Sequence, residues 1–261
     1  MIVDIHNHIL PEMDDGPDNM DQAVNMAKAA ADHGISTIIA TPHHRNGQFI
    51  CSPSEIINKV NKLNALLRER RINVQILPGM EIHLYPEICT DLIKEIPDSL
   101  TLADNHQYIL VELPYSYYPG FTDTLLYELQ LEGFIPVLAH PERNSVIRRR
   151  PNLLYQLIKR GILVQITAGS ITGTFGRKIQ KFAEKLLKHH LVHFIASDAH
   201  NNSSRPFELL YAYNYIAETY SAAYSDYLKE NAACIVNGSE FNINTPKKLR
   251  RKNKLLSFFV K

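Results

Sequence analysis

The sequence predicts an α/β barrel, and three observations carry the prediction. Short apolar, β-rich runs alternate with longer segments of helical period, which is the pattern of parallel strands joined by crossover helices. The chain has 261 residues, 45% of them hydrophobic. That length is close to the ~250 residues typical of (β/α)8 barrels and favours closure over an open doubly wound sheet. Six of the seven predicted strands end in an imidazole or a carboxylate, and in a parallel barrel all those ends share one rim.

In chain order, the first strand covers 2–6 and leads into a helix over 20–33, where Gly34 follows as a C-terminal cap would. A second strand covers 37–41. Ser52-Pro53-Ser54-Glu55 then opens a helix over 53–70, with a capping hydroxyl, a proline in the first turn and an early acid. Strands over 74–81 and 108–113 precede a helix over 121–132. A strand over 135–140, a helix over 151–160, a strand over 162–167, a helix over 176–189 and a last strand over 192–197 complete the alternation. Ala168 to Gly176 reads as a flexible rim loop after the sixth strand. Beyond about residue 206 the chain looks helical and rich in Tyr and Ala. With no linker in sight, 1–245 is expected to be one domain and 246–261 a basic-apolar tail.

Composition excludes several classes. No window approaches the roughly 18 uninterrupted apolar residues of a membrane span, and Asp4, His6 and His8 interrupt what a signal peptide would need to keep apolar. Cys51, Cys89 and Cys234 form neither a CxxC pair nor a disulfide framework, so a reducing cytoplasm is the expected compartment. Net charge is +1, but seven Lys or Arg lie in 246–261, leaving 21 basic against 27 acidic residues before them. The body is mildly acidic, which argues against a nucleic-acid-binding face. The tail sets a cationic block before Leu255, Leu256, Phe258, Phe259 and Val260. It suits either peripheral contact with an anionic membrane or a plain terminus.

The strand ends carry the chemistry. His6 and His8 lie two apart, so both can face one cation, and Asp198 and His200 repeat the spacing. Nine candidates (His6, His8, Asp15, His43, Glu81, Glu112, His140, Asp198 and His200) exceed the needs of one ion and suit two or three, with Glu81 as a bridge. Imidazole and carboxylate donors without cysteine fit manganese, iron or zinc, and the oxygen share leans towards manganese. Any one of these histidines alone could be an ordinary hydrogen-bonded residue. So many ionisable groups buried together without a cation would carry a heavy desolvation cost. His33, His83, His106, His189, His190 and His193 read as ordinary surface or structural histidines. Arg143 and Arg205 follow the strand-end motifs, and a guanidinium fork matches phosphate oxygens; a salt bridge from Arg143 to Glu142 is the alternative. Tyr115, Tyr117, Tyr118 and Phe121 could frame an aromatic substrate or simply pack at the rim.

Rival schemes lack their residues. A cysteine phosphatase needs Arg six positions after its Cys, where this chain has Ile57, Glu95 and Glu240. The glycines between Ala168 and Gly176 lack the GK[ST] ending of a nucleotide-binding loop. Ser197 lacks the flanking glycines of a nucleophile elbow.

The order D-I-H-N-H with Asp14-Asp15-Gly16, A-T-P-H-H, L-P-G-M-E-I, L-A-H-P-E-R-N and A-S-D-A-H-N, spread over residues 2 to about 205, resembles the polymerase and histidinol phosphatase (PHP) superfamily. Within it, the chain resembles the bacterial manganese-dependent tyrosine-protein phosphatases of the CpsB/CapC type. The resemblance implies a distorted barrel of about seven strands, a trinuclear metal centre, and hydrolysis of phosphotyrosine on a tyrosine kinase that controls capsule or exopolysaccharide synthesis. It would put His6, His8, Glu81 and Asp198 on one metal, Glu81, Glu112 and His140 on a second, and Asp15, His43 and His200 on a third. Asp14 is the alternative to Asp15. Arg143 and Arg205 match the phosphate-binding arginines. Two other readings remain open: a related phosphoesterase for a small ester such as histidinol phosphate, and a metal-stabilised binding module without activity.

Overall fold

The computed structural model describes residues 1–93 and 100–249. Most of the basic-apolar tail therefore lies outside the described residues. Its first residues pack on the body: the Lys247 amide donates to the His189 carbonyl at 2.8 Å, and Leu249 is buried.

The strands are β1 (Ile2–Asn7), β2 (Ile35–Ala40), β3 (His43–His44), β4 (Gln75–Pro78), β5 (Glu81–His83), β6 (Tyr108–Glu112), β7 (Ile135–Ala139), β8 (Leu163–Thr167) and β9 (Phe194–Ala196). Every ladder among them is parallel. They form a sheet of order β1-β2-β4 and a second of order β3-β5-β6-β7-β8-β9. Two of the nine are continuations. Pro42, just beyond the second predicted strand, has no N–H to give to a ladder and separates β2 from a short continuation, β3, that was not predicted. Gly79 and Met80 likewise separate β4 from β5. A Cβ at Gly79 would sit 2.7 Å from the Ile39 methyl, so the crossing of these strands requires glycine. Counting each broken strand once leaves the seven expected from the sequence. The ring is completed between last and first: Asp198 N donates to His6 O at 2.9 Å and His8 N to Ala199 O at 3.0 Å. This contact is a bridge and not a ladder, so the α/β barrel is distorted.

Helices cover the strands: α1 (Met20–Asp32), α2 (Pro53–Glu69), α3 (Ile88–Ile93), α4 (Thr122–Leu131), α5 (Ser145–Arg149), α6 (Asn152–Lys159), α7 (Ala168–Thr172), α8 (Arg177–Lys188), α9 (Leu209–Thr219) and α10 (Ala222–Asn237). Ser52 caps α2 by accepting from Glu55 N, as its sequence position implies. Period-two alternation sends Ile38, Ile109, Leu138, Val164 and Ile195 into the core shared with the helices. Their neighbours Ile39, Leu110, Val137, Leu163 and Phe194 join a second cluster with Ala232 and Ile235 of α10. Among the described residues no helix is long and apolar enough to cross a membrane.

The segment expected to be a flexible rim loop is instead built. Its first five residues form α7, and Glu208 accepts hydrogen bonds from Thr172 (2.6 Å) and Thr174 (2.7 Å). A buried carboxylate also holds it: Glu142 accepts from Thr167 N at 3.0 Å and Ser170 Oγ at 2.7 Å.

Candidate metal centre

Eight of the nine candidate ligands lie at or just beyond the C-terminal ends of strands, Asp15 lies in the loop between β1 and α1, and the parallel ring brings them together. His6 and His8 present Nε2 atoms 3.2 Å apart. Glu81 Oε2 lies 3.3 Å and 3.5 Å from them, and Asp198 Oδ1 3.7 Å and 3.4 Å. Donors about 2.1 Å from one cation would stand about 3.0 Å apart in an octahedron and about 3.4 Å in a tetrahedron. The observed spacing fits a shared ion.

The other donors adjoin this set. Glu81 Oε1 is 2.9 Å from His140 Nε2, which lies 3.8 Å from Glu112 Oε1. His43 Nδ1 is 2.8 Å from Glu81 Oε2 and 3.8 Å from Glu112 Oε2. Asp15 Oδ1 is 3.1 Å from His200 Nε2 and 3.7 Å from His43 Nε2. Three groups of donors lie close enough to converge on ions: His8, Asp15, His43 and His200; His6, His8 and Glu81; His43, Glu81 and Glu112. His43 thus faces two groups, one with each ring nitrogen. The buried atoms His43 Nδ1, Glu81 Oε2 and His200 Nε2 make no hydrogen bond among the described residues. Polar atoms so buried are normally satisfied, and a cation would satisfy all three.

The surrounding shell aims the ligands. His6 Nδ1 donates to Gln165 Oε1 at 3.1 Å, His8 Nδ1 to Asp14 Oδ2 at 2.6 Å, and His200 Nδ1 to the Asp198 carbonyl at 3.0 Å. In each ring this turns Nε2 towards the cluster. Gln165 Oε1 also accepts from the His140 amide. Asp14 spends its other contacts on the amides of His43 and Gly16, while Asp15 is half exposed and faces His43 and His200. The two acids therefore differ in surroundings: Asp14 is engaged by His8 and two amides, whereas Asp15 faces the candidate ligands His43 and His200. Gly16 is required here because a Cβ would come within 2.2 Å of the His8 carbonyl oxygen. His140 (φ 30°) and Asp198 (φ 53°) hold left-handed backbones, a conformation uncommon for non-glycine residues.

Charge in the cluster is mutual. Burial favours a neutral Glu81, yet His6 and His43 outweigh it and hold the carboxyl well below its usual range. Burial likewise works against a charged His8, but Asp14 lifts that ring well above its ordinary value. Burial beside His8 takes His200 down to about 4, keeping it neutral and able to coordinate.

Both arginines reach the cluster through Asp198. Arg143 donates to Asp198 Oδ2, and Arg205 to Oδ1 at 2.8 Å. Burial alone would raise the Asp198 carboxyl; Arg143 foremost, then His6, hold it well below its usual range. Arg143 is not paired with Glu142. Its Nε donates to Tyr115 Oη at 2.6 Å, and its guanidinium lies over the Tyr115 and Phe175 rings at 5.2 Å and 4.9 Å. His83, read from the sequence as ordinary, is 3.2 Å from Glu112 Oε2 at the edge of the cluster. Ser197 is no nucleophile: its hydroxyl donates to Asp4, which also accepts from Ser197 N and Asn7 and so ties β1 to β9 beneath the ligands.

Known proteins share both sequence and shape. The family model for capsular polysaccharide synthesis, CpsB/CapC, matches residues 2–237. The tyrosine-protein phosphatase YwqE of Bacillus subtilis is 41% identical over 258 residues, covering 99% of this chain and all of its own. The tyrosine-protein phosphatase CpsB of Streptococcus agalactiae is 31% identical over 240 residues, covering 88% and 93%. A crystal structure from the pair YwqE of Bacillus subtilis and CpsB of Streptococcus pneumoniae, described as unique metal-dependent tyrosine phosphatases, superposes with a TM-score of 0.92 at 41% identity. It covers 96% of this chain and 100% of that one. The phosphotriesterase homology protein of Escherichia coli, 12% identical with a TM-score of 0.55 over 88% of this chain and 96% of its own, shares the fold alone.

Proposed function

Because the chain belongs to the CpsB/CapC family of capsular polysaccharide synthesis proteins, we propose that it is a metal-dependent protein-tyrosine phosphatase. Its substrate would be a phosphotyrosine protein, namely a tyrosine kinase that regulates capsule or exopolysaccharide synthesis. The observation that carries the reading is the convergence of the nine donors with two arginines on Asp198.

His6, His8, Glu81 and Asp198 would hold one cation, Glu81, Glu112 and His140 a second, and Asp15, His43 and His200 a third, with His43 also turned to Glu81. Manganese is the ion proposed, on the strength of a sulfur-free set rich in carboxylate. Bound divalent cations would supply Lewis acidity, lowering the pKa of water and countering the charge of the phosphoryl oxygens.

The chain's own groups do the rest. Arg143 and Arg205 offer guanidinium forks to the phosphate oxygens as charge grows on them. Tyr115 and Phe175 fix the plane of Arg143, so little orientation remains to be lost when phosphate arrives. The leaving tyrosyl oxygen has a conjugate-acid pKa near ~10, so a strong general acid is not essential. No thiol is suited to form a phosphoenzyme: burial pushes Cys51 up to about 12, Cys89 up to about 11 and Cys234 upwards as well, and none of the three precedes an arginine motif.

Turnover by manganese-loaded protein of a phosphotyrosine peptide against histidinol phosphate tests the reading. A kcat/KM higher for the peptide is expected, and preference for histidinol phosphate would replace the proposed substrate.

A further inference from the structure

The loop between β6 and α4 joins the candidate centre to a groove. Tyr115, which accepts from Arg143, lies early in that loop, and Tyr117 and Tyr118 follow it. Asn144 fastens the loop to α5: its Nδ2 donates to the carbonyls of Pro114 (2.7 Å) and Tyr117 (2.9 Å), while its Oδ1 caps the helix at Val146 N and Ile147 N. Ser145 adds an amide bond to Tyr115 O and a hydroxyl bond to Ser116 O, both 2.9 Å. Loop and helix therefore enclose a groove of roughly 750 Å³ lined by Tyr117, Tyr118, Val146, Arg149, Arg150 and Leu153. Its walls are fixed before anything binds, which lowers the entropy cost of docking.

The charge of this groove is one-sided. Of the run Arg148-Arg149-Arg150, Arg148 is consumed internally by donating to the carbonyls of Glu142 and Arg143. Arg149 and Arg150 are exposed, and among the described residues neither pairs with a carboxylate. No lining residue is acidic, and Asp123, which Tyr118 reaches, is already paired with Arg160 at 2.7 Å. Two guanidinium forks without a carboxylate partner, Arg149 reaching the Ser145 hydroxyl at 3.5 Å, lie beside an exposed Tyr117 ring and suit carboxylates interspersed with apolar or aromatic side chains.

We propose that this groove is a docking site for acidic residues flanking the target phosphotyrosine, so that the enzyme selects phosphotyrosine within acidic segments of its protein substrate. The proposal rests on the phosphatase reading above, and its test separates the two. Manganese-loaded protein is assayed on free phosphotyrosine and on two phosphotyrosine peptides that differ only in flanking Glu or Gln. At low salt the wild type should favour the Glu peptide about tenfold in kcat/KM, the size of two exposed pairs, and the preference should shrink as salt screens it. The double variant Arg149→Glu/Arg150→Glu should bring the ratio to one or below while hydrolysing free phosphotyrosine within about twofold of wild type. Arg149→Gln/Arg150→Gln should bring it to about one and serves if the charge-reversed protein does not fold. Equal turnover of the two peptides by the wild type, or a preference that survives either double variant, overturns the docking site alone. Absence of turnover of free phosphotyrosine and of both peptides by the wild type overturns the phosphatase reading and the docking site with it.

Discussion

Arg143 and Arg205 approach the two oxygens of one carboxylate, and that carboxylate is also a candidate ligand. A guanidinium so placed serves either as a clamp for phosphate or as fixed counter-charge to Asp198, and the two roles leave different traces. A clamp acts on charge that develops in the transition state. Arg143→Ala or Arg205→Ala should then lower kcat/KM by about 10²–10³ with metal content unchanged, whereas His6→Ala or Glu81→Ala should lose metal. Equal metal loss in all four variants, measured by elemental analysis, would make the arginines structural. The structure brings the nine ligand candidates named from the sequence close together; eight were legible because each sits at a strand end in a short motif, and Asp15 because it precedes Gly16 in the loop after β1. Gln165 was not, although it orients His6 and touches the His140 amide, because its role exists only through contacts across strands. The available signal was a lone polar residue inside the otherwise apolar run of β8. Sequence left Asp14 and Asp15 interchangeable. Only the direction each side chain takes, towards His8 or towards His200, tells them apart.

At the scale of elements, periodicity located the strands but not their interruptions. Pro42 and Gly79 are visible as breakers, yet whether a strand ends or resumes at such a residue depends on the neighbour it meets across the ring. The glycine-containing segment after β8 read as mobile because its restraints, Glu142 and Glu208, come from far along the chain. His193 shows the same kind of hidden fastening at β9. Its amide donates to Val164 O, its Nδ1 accepts from Val164 N at 3.0 Å, and Asn231 of α10 donates to its carbonyl at 3.0 Å. Burial lowers its pKa to about 4, so the folded protein holds it neutral. Above pH ~6.5 the ring is neutral in both states, and its contribution to stability is fully present. As pH falls towards 4, the unfolded chain takes up a proton that the fold refuses, and that contribution is lost. Between pH 7 and 4.5, denaturant unfolding should show a loss of stability about 2–3 kcal/mol greater for wild type than for His193→Asn, which keeps an acceptor but cannot titrate. Parallel losses in the two proteins would remove His193 from the account.

On the scale of the whole molecule, ring closure by β1 and β9 turns a list of motifs into one cluster. His6 and His8 at the start of the chain meet Asp198 and His200 near residue 200 through the backbone bonds that join the first strand to the last. Alternation and length were enough to anticipate this closure. How α9 and α10 pack was not legible, since their tyrosines and alanines lack the sharp apolar stripe of a surface helix. The central claim is that the cluster works as a metal centre and that the thiols do not take part. It is tested most directly by following metal content and phosphotyrosine hydrolysis on one purified sample through chelation, manganese addition and cysteine alkylation. Chelation should remove metal and activity together, manganese should restore both in proportion, and alkylation should leave both largely intact. Hydrolysis that persists in metal-free protein, or is abolished by alkylation with fold and metal intact, would contradict it.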